Sequence, residues 1–158
     1  MLSEMVRPRN LDLTEAHRRL SNLMRLGTLE EIDYGQAIGR VRFGGILTDW
    51  LPFIVARAGQ DRQFWAPDLG EQVVVLSPSG DLVQGVILGS IYRTRYPVTR
   101  AGEGRNTAIF GDGTMVQYDR RAHTLTIEMQ EGGIKIVAPR GIDITGDVRV
   151  IGCVLDTC

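Results

Sequence analysis

The residues able to do chemistry in this 158-residue chain are few. Its two histidines, His17 and His123, are far apart, and neither has a second imidazole at ligand spacing. Cys153 and Cys158 are its cysteines. Thiolates bind zinc tetrahedrally or pair as disulfides, but Cys-x4-Cys without further His or Cys specifies neither. Three readings stand for them: inert thiols, disulfides between chains, or a thiol cluster holding a metal. Glu30 and Glu31 are adjacent, so on a strand they would face opposite sides and could not act as an acid/base pair. Asp81 follows Pro78-Ser79-Gly80 in a turn, and Asp112-Gly113 and Gly146-Asp147 are turn chemistry as well. No spaced carboxylate series of a calcium loop accompanies them. The chain holds no His-Glu-x-x-His, no Gly-x-Ser-x-Gly and no phosphate loop. The expectation is no catalytic residue and no enzyme. Trp50 and Trp65 could stack on bases, as aromatics of single-strand binders do. No basic face accompanies them, however, and Pro67 beside Trp65 suggests a packed corner.

Charge supports that reading. The 18 Lys and Arg face 19 Asp and Glu, a net charge of −1. A nucleic-acid binder draws its affinity from basic side chains that neutralise phosphates, so no nucleic-acid partner is expected. At 43% hydrophobic and 23% charged, the chain is globular rather than disordered. Residues 1–8 hold no apolar core long enough for a secretory signal, and no window approaches the roughly 20 apolar residues of a membrane helix. Synthesis in a reducing cytoplasm is the expectation.

The elements that must position these residues are mainly β. Residues 1–10 read as a loose arm. Leu13, Ala16, Leu20 and Leu23 recur at helical steps and predict a helix over Asp12–Arg25, stopped by Gly27. Its single apolar stripe must dock on something. Period-two runs follow at Thr28–Asp33, Ala37–Phe43, Thr48–Val55, Glu71–Leu76 and Val83–Leu88, with turn residues between them. Five such strands fit a small closed barrel of the oligonucleotide/oligosaccharide-binding (OB) type, with a generic Greek-key barrel as the alternative. Residues 93–108 read as a linker after an N-terminal arm and helix (1–26) and the barrel (27–92).

Residues 109–158 alternate in short runs: Ile109-Phe110, Thr114–Tyr118, Thr124–Met129, Ile134–Val137, Ile142–Ile144 and Val148–Ile151. A thin file of apolar residues in about 50 positions cannot close a core alone, and unpaired strand edges invite aggregation. Identical copies resolve both problems by sharing strands and an apolar axis. The expectation is an intertwined oligomeric prism with Val116, Tyr118, Leu125, Ile127, Ile134, Ile136, Ile142 and Ile144 inward.

Thr48-Asp49-Trp50-Leu51, Arg57-Ala58-Gly59, Trp65-Ala66-Pro67, Gly70-Glu71-Gln72-Val73-Val74-Val75 and Asp112-Gly113-Thr114-Met115-Val116-Gln117-Tyr118 carry a resemblance. In order and spacing they resemble the baseplate assembly protein V family, the central spikes of contractile-tailed bacteriophages. More distantly they resemble the valine-glycine repeat spikes of type VI secretion. The resemblance implies a homotrimer without catalysis, located in the virion tail baseplate and assembled in the host cytoplasm. An OB collar would sit under the tail hub, with Trp50, Arg57, Arg62 and Trp65 making hub or collar contacts. A triple-stranded β-helix would point at the host envelope and touch the host membrane transiently. Three copies would bring six thiols from Cys153 and Cys158 near one axis. Family members often end in a His-x-His pair whose three copies hold iron. That pair is absent here, so no cofactor is expected. Five or six strands per face, stacked at about 4.8 Å, give a shaft of roughly 25–30 Å, short of a bilayer of about 40–45 Å with headgroups. A separate tip protein extending the shaft is therefore also expected. The alternative function is an OB-type module for single-stranded nucleic acid or carbohydrate.

Overall fold

The computed structural model describes residues 10–94, 97 and 102–152, which form parts of two compact units, Met1–Val98 and Thr99–Cys158. Cys153 and Cys158, with the N-terminal residues 1–9, lie outside the described residues.

The first unit opens with helix α1 (Asn10–Leu23), which runs straight into the ten-residue strand β1 (Met24–Asp33). Gly27 therefore does not stop the helix, as its sequence context suggested; it lies inside β1. A Cβ there would come within 2.4 Å of Val41 Cγ1 and 2.7 Å of Phe43 Cδ1. Close approach of β1 to its neighbour, and not a helix end, is what requires glycine at this position.

β1 pairs antiparallel with β5 (Gln72–Leu76) through Met24–Thr28, and with β2 (Ile38–Phe43) through Thr28–Asp33. β3 (Ile46–Leu47) and β4 (Leu51–Pro52) both pair with β2, and β6 (Val86–Ile91) pairs with β5. The ring is closed beyond β4. Phe53 and Ile87 form a parallel bridge, and the Ile54 N–H donates to the Ile87 carbonyl at 2.8 Å. One long strand shared by two neighbours, with a parallel closure between the residue after β4 and β6, makes a small OB-like barrel.

Inward alternation fills it. Leu29, Val41, Phe43, Leu51, Val73, Val75 and Ile87 form the buried core, and Ile32, Phe53 and Leu82 pack against it. Thr48 is buried as well: its Oγ1 accepts from the Val41 N–H at 2.9 Å while its own N–H donates to the Val41 carbonyl at 3.0 Å. The β5–β6 connection, two short 3₁₀ turns at Pro78–Gly80 and Leu82–Gln84, takes α1 on top of it. Gly80 has φ of 70°, and a Cβ there would meet the Arg19 carbonyl oxygen at 2.3 Å. The helix thus docks by backbone approach. Its predicted apolar stripe stays outside, with Leu13 and Leu20 largely exposed.

The second unit holds a three-stranded antiparallel sheet, β7 (Arg105–Ile109), β8 (Met115–Asp119) and β9 (Thr124–Glu128). Arg105–Ala108, read from sequence as the end of a linker, are strand residues paired with β8. The strands expected at Ile134–Val137, Ile142–Ile144 and Val148–Ile151 do not form within one chain: residues 130–152 carry no ladder pairing. A segment becomes a strand only when a neighbour satisfies its backbone groups, and none does so among the described residues. Among the described residues, no helix is long and apolar enough to cross a membrane.

Candidate assembly interface

The barrel surface is shaped by a bulge. The β1–β2 register shifts between Leu29 and Glu31, so Glu30 and Glu31 both reach arginines on the same face of β2. Glu30 engages Arg42, whose Nη2 lies 2.7 Å from Oε2. Glu31 accepts from Arg40 Nη1 at 3.0 and 3.2 Å. This corrects the expectation of opposite faces. A bulge adds a residue and re-aims the side chains around it. The hydrogen bond from Arg42 holds the Glu30 carboxyl below the usual carboxylate range. Each acid is bound to its own guanidinium.

Of the proposed hub contacts, Trp50 carries the Arg40 guanidinium over its ring at 5.9 Å, and Arg40 Nε also donates to the Thr48 carbonyl at 2.9 Å. Arg57 pairs with Asp61 at 2.9 Å, and Arg62 Nε donates to the Gly59 carbonyl at 3.2 Å, so both arginines are held inside their own loop. Trp65 is 61% exposed and walls a groove of about 270 Å³ with Phe53, Ile54, Pro67, Ile87 and Gly89. The four residues are thus held by different partners. The doubled Glu–Arg pairs could not be read in advance, because they depend on the bulge.

In the second unit, strand register puts Val116 opposite Ile127 and Tyr118 opposite Leu125, with Ala108 completing the row beside Val116. These apolar side chains share one face. The opposite face carries Thr107, Gln117 and Thr126, where Gln117 Nε2 donates to Thr107 Oγ1 at 2.9 Å. Tyr118, Leu125 and Ile127 are exposed, as are Ile134, Ile136, Ile142 and Ile144 further along. Among the described residues of this unit, Met115 is the one hydrophobic side chain that is buried. The β8–β9 turn is fixed by Asp119, which accepts from Arg105 Nε at 2.9 Å and from the Arg121 and Ala122 N–H groups at 2.8 and 3.1 Å. The Arg105 hydrogen bond, then those of the two amides, lower its carboxyl to a pKa of about 2.

His17 is an exposed residue of α1, and His123 sits at φ of 54° in the β8–β9 turn. Among the described residues, no three His, Cys, Asp or Glu side chains converge as a metal set.

The first unit is a small OB-like barrel with a bulged first strand, and the second carries an open three-stranded antiparallel sheet. Residues 25–92 match the family described as the type VI secretion system/phage-baseplate injector OB domain. Over 116 residues, 73% of this chain and 55% of the relative, the chain is 34% identical to the spike protein of Escherichia phage P2. Residues 25–92 thus match the injector OB domain, and the chain is similar to a phage spike protein. It spans little more than half the length of that relative.

Proposed function

We propose that the chain is a structural spike component of a contractile tail baseplate, working as a homotrimer in the virion tail. The observation that carries this reading is the lopsided burial. The barrel owns a closed core, whereas the C-terminal unit leaves an apolar face and a series of isoleucines outside. Three copies would turn those faces toward a common axis and wind the extended segments around one another, supplying the strand partners that one chain lacks. The barrel and α1, with its exposed Leu13 and Leu20, would dock into the hub. Contraction would then push the shaft against the host envelope. The mechanism is mechanical: wound strands cannot part unless all three chains separate together.

Analytical ultracentrifugation of the full chain tests it. A species of three chain masses is expected, and Ile136→Asp should reduce it to a monomer that keeps the barrel's circular dichroism. A wild-type monomer with an ordered C-terminal unit, or an Ile136→Asp protein that still forms the trimer, would overturn the reading.

A further inference from the structure

The three apolar triplets without strand partners each hold one charge at their centre: Ile134-Lys135-Ile136, Ile142-Asp143-Ile144 and Val148-Arg149-Val150. Strand alternation turns that central residue away from its apolar neighbours, to the outside of any shaft they build. A charge of opposite sign precedes each triplet at its corner, namely Glu131, Arg140 and Asp147. The sign order is minus-plus, then plus-minus, then minus-plus. By contrast, the two triplets already paired inside the chain, Val116-Gln117-Tyr118 and Leu125-Thr126-Ile127, have uncharged centres that face each other in register. Charge is reserved for the triplets that have no partner in the chain. All six charged residues are exposed, and none takes part in the ion pairs or side-chain hydrogen bonds formed among the described residues.

We propose that these alternating charges select a second copy of this chain displaced by one triplet, and so specify winding over side-by-side stacking of identical strands. The inference rests on the intertwined reading given above. When each corner carries a chain to the next face, the strand beside one copy's triplet is the following triplet of another copy. Lys135 then lies beside Asp143, and Asp143 beside Arg149, each pair between copies. The corner charges, four, three and two residues ahead of these centres, follow the same alternation. With no displacement every neighbour is a like charge, and with a displacement of two triplets Lys135 meets Arg149. Opposite charges on neighbouring strands stabilise a sheet and like charges oppose it. The same pattern resists the in-register stacking of identical segments that builds aggregates.

Cysteine cross-linking in the full chain, with Cys153→Ser and Cys158→Ser as background, reads the displacement directly. Neighbouring strands lie about 4.7–4.9 Å apart, within the Cα separation of about 4.4–6.8 Å that a disulfide spans. Under a mild thiol oxidant, Lys135→Cys/Asp143→Cys should give covalent multimers on a non-reducing denaturing gel, and Lys135→Cys alone should give none. Dimers from Lys135→Cys alone, or only intrachain bridges from the pair, would overturn the inference. A second measurement needs no cysteine. Lys135→Asp should lower the unfolding midpoint at low ionic strength, and reversing the whole column in Lys135→Asp/Asp143→Lys/Arg149→Asp should restore it. Equal midpoints for all three proteins would count against the proposal. An oligomer that fails these tests sinks only the displacement, whereas a monomer sinks the intertwined reading itself.

Discussion

Single residues in this molecule act chiefly as fixings. Asp119 is the clearest: one carboxylate holds the β8–β9 turn through Arg105 and two backbone amides. Its folded pKa of about 2 lies below the ordinary value of 3.8. A lowered folded pKa means that the ionised form stabilises the fold above the ordinary value, and that this contribution is lost as pH falls through the folded one. The turn should therefore loosen between about pH 4 and pH 2. Hydrogen exchange of the Arg121 and Ala122 amides would follow it, and Asp119→Asn should show the faster exchange already at neutral pH. The pairing of Glu30 with Arg42 and Glu31 with Arg40 makes a different point. Their residue types are plain in the sequence, but the single extra residue that puts both acids on one face arises from strand pairing, which has no local signature.

At the level of elements, alternation and turn chemistry made most of the barrel legible. Ile38–Phe43 and Gln72–Leu76 lie within the runs that period two marks out, because each strand half-buries itself by a local rule. What escaped depends on contacts between distant segments. Gly27 looks like a helix stop until Val41 and Phe43 are placed against it, and the stripe of α1 looks bound to dock until Gly80 is seen to receive the helix by its backbone. The triplets after residue 130 were legible as a pattern, yet among the described residues they have no pairing within the chain. Gly80→Ala tests the helix seat, since the new Cβ would strike the Arg19 backbone at a left-handed φ. The helix should detach, with cleavage in α1 by a protease at low dose and a barrel that keeps its cooperative melt. An α1 as resistant as in the wild type would contradict this account of docking.

For the whole molecule, the arrangement of charge and of core decides between uses. Arg40, Arg42 and Arg57 are each bound to a carboxylate. The barrel should accordingly show no salt-dependent affinity for a single-stranded oligonucleotide, and a fluorescence anisotropy titration at two ionic strengths checks this. Tight binding that weakens steeply with salt would restore the binding-module reading. The unequal share of buried side chains between the two units also has a consequence in time. The first unit can complete its core on a single nascent polypeptide, at a rate indifferent to how many others are present. In the trimer proposed above the second would have to wait for encounters, so its maturation should accelerate with expression level, and one defective chain should poison every assembly it enters.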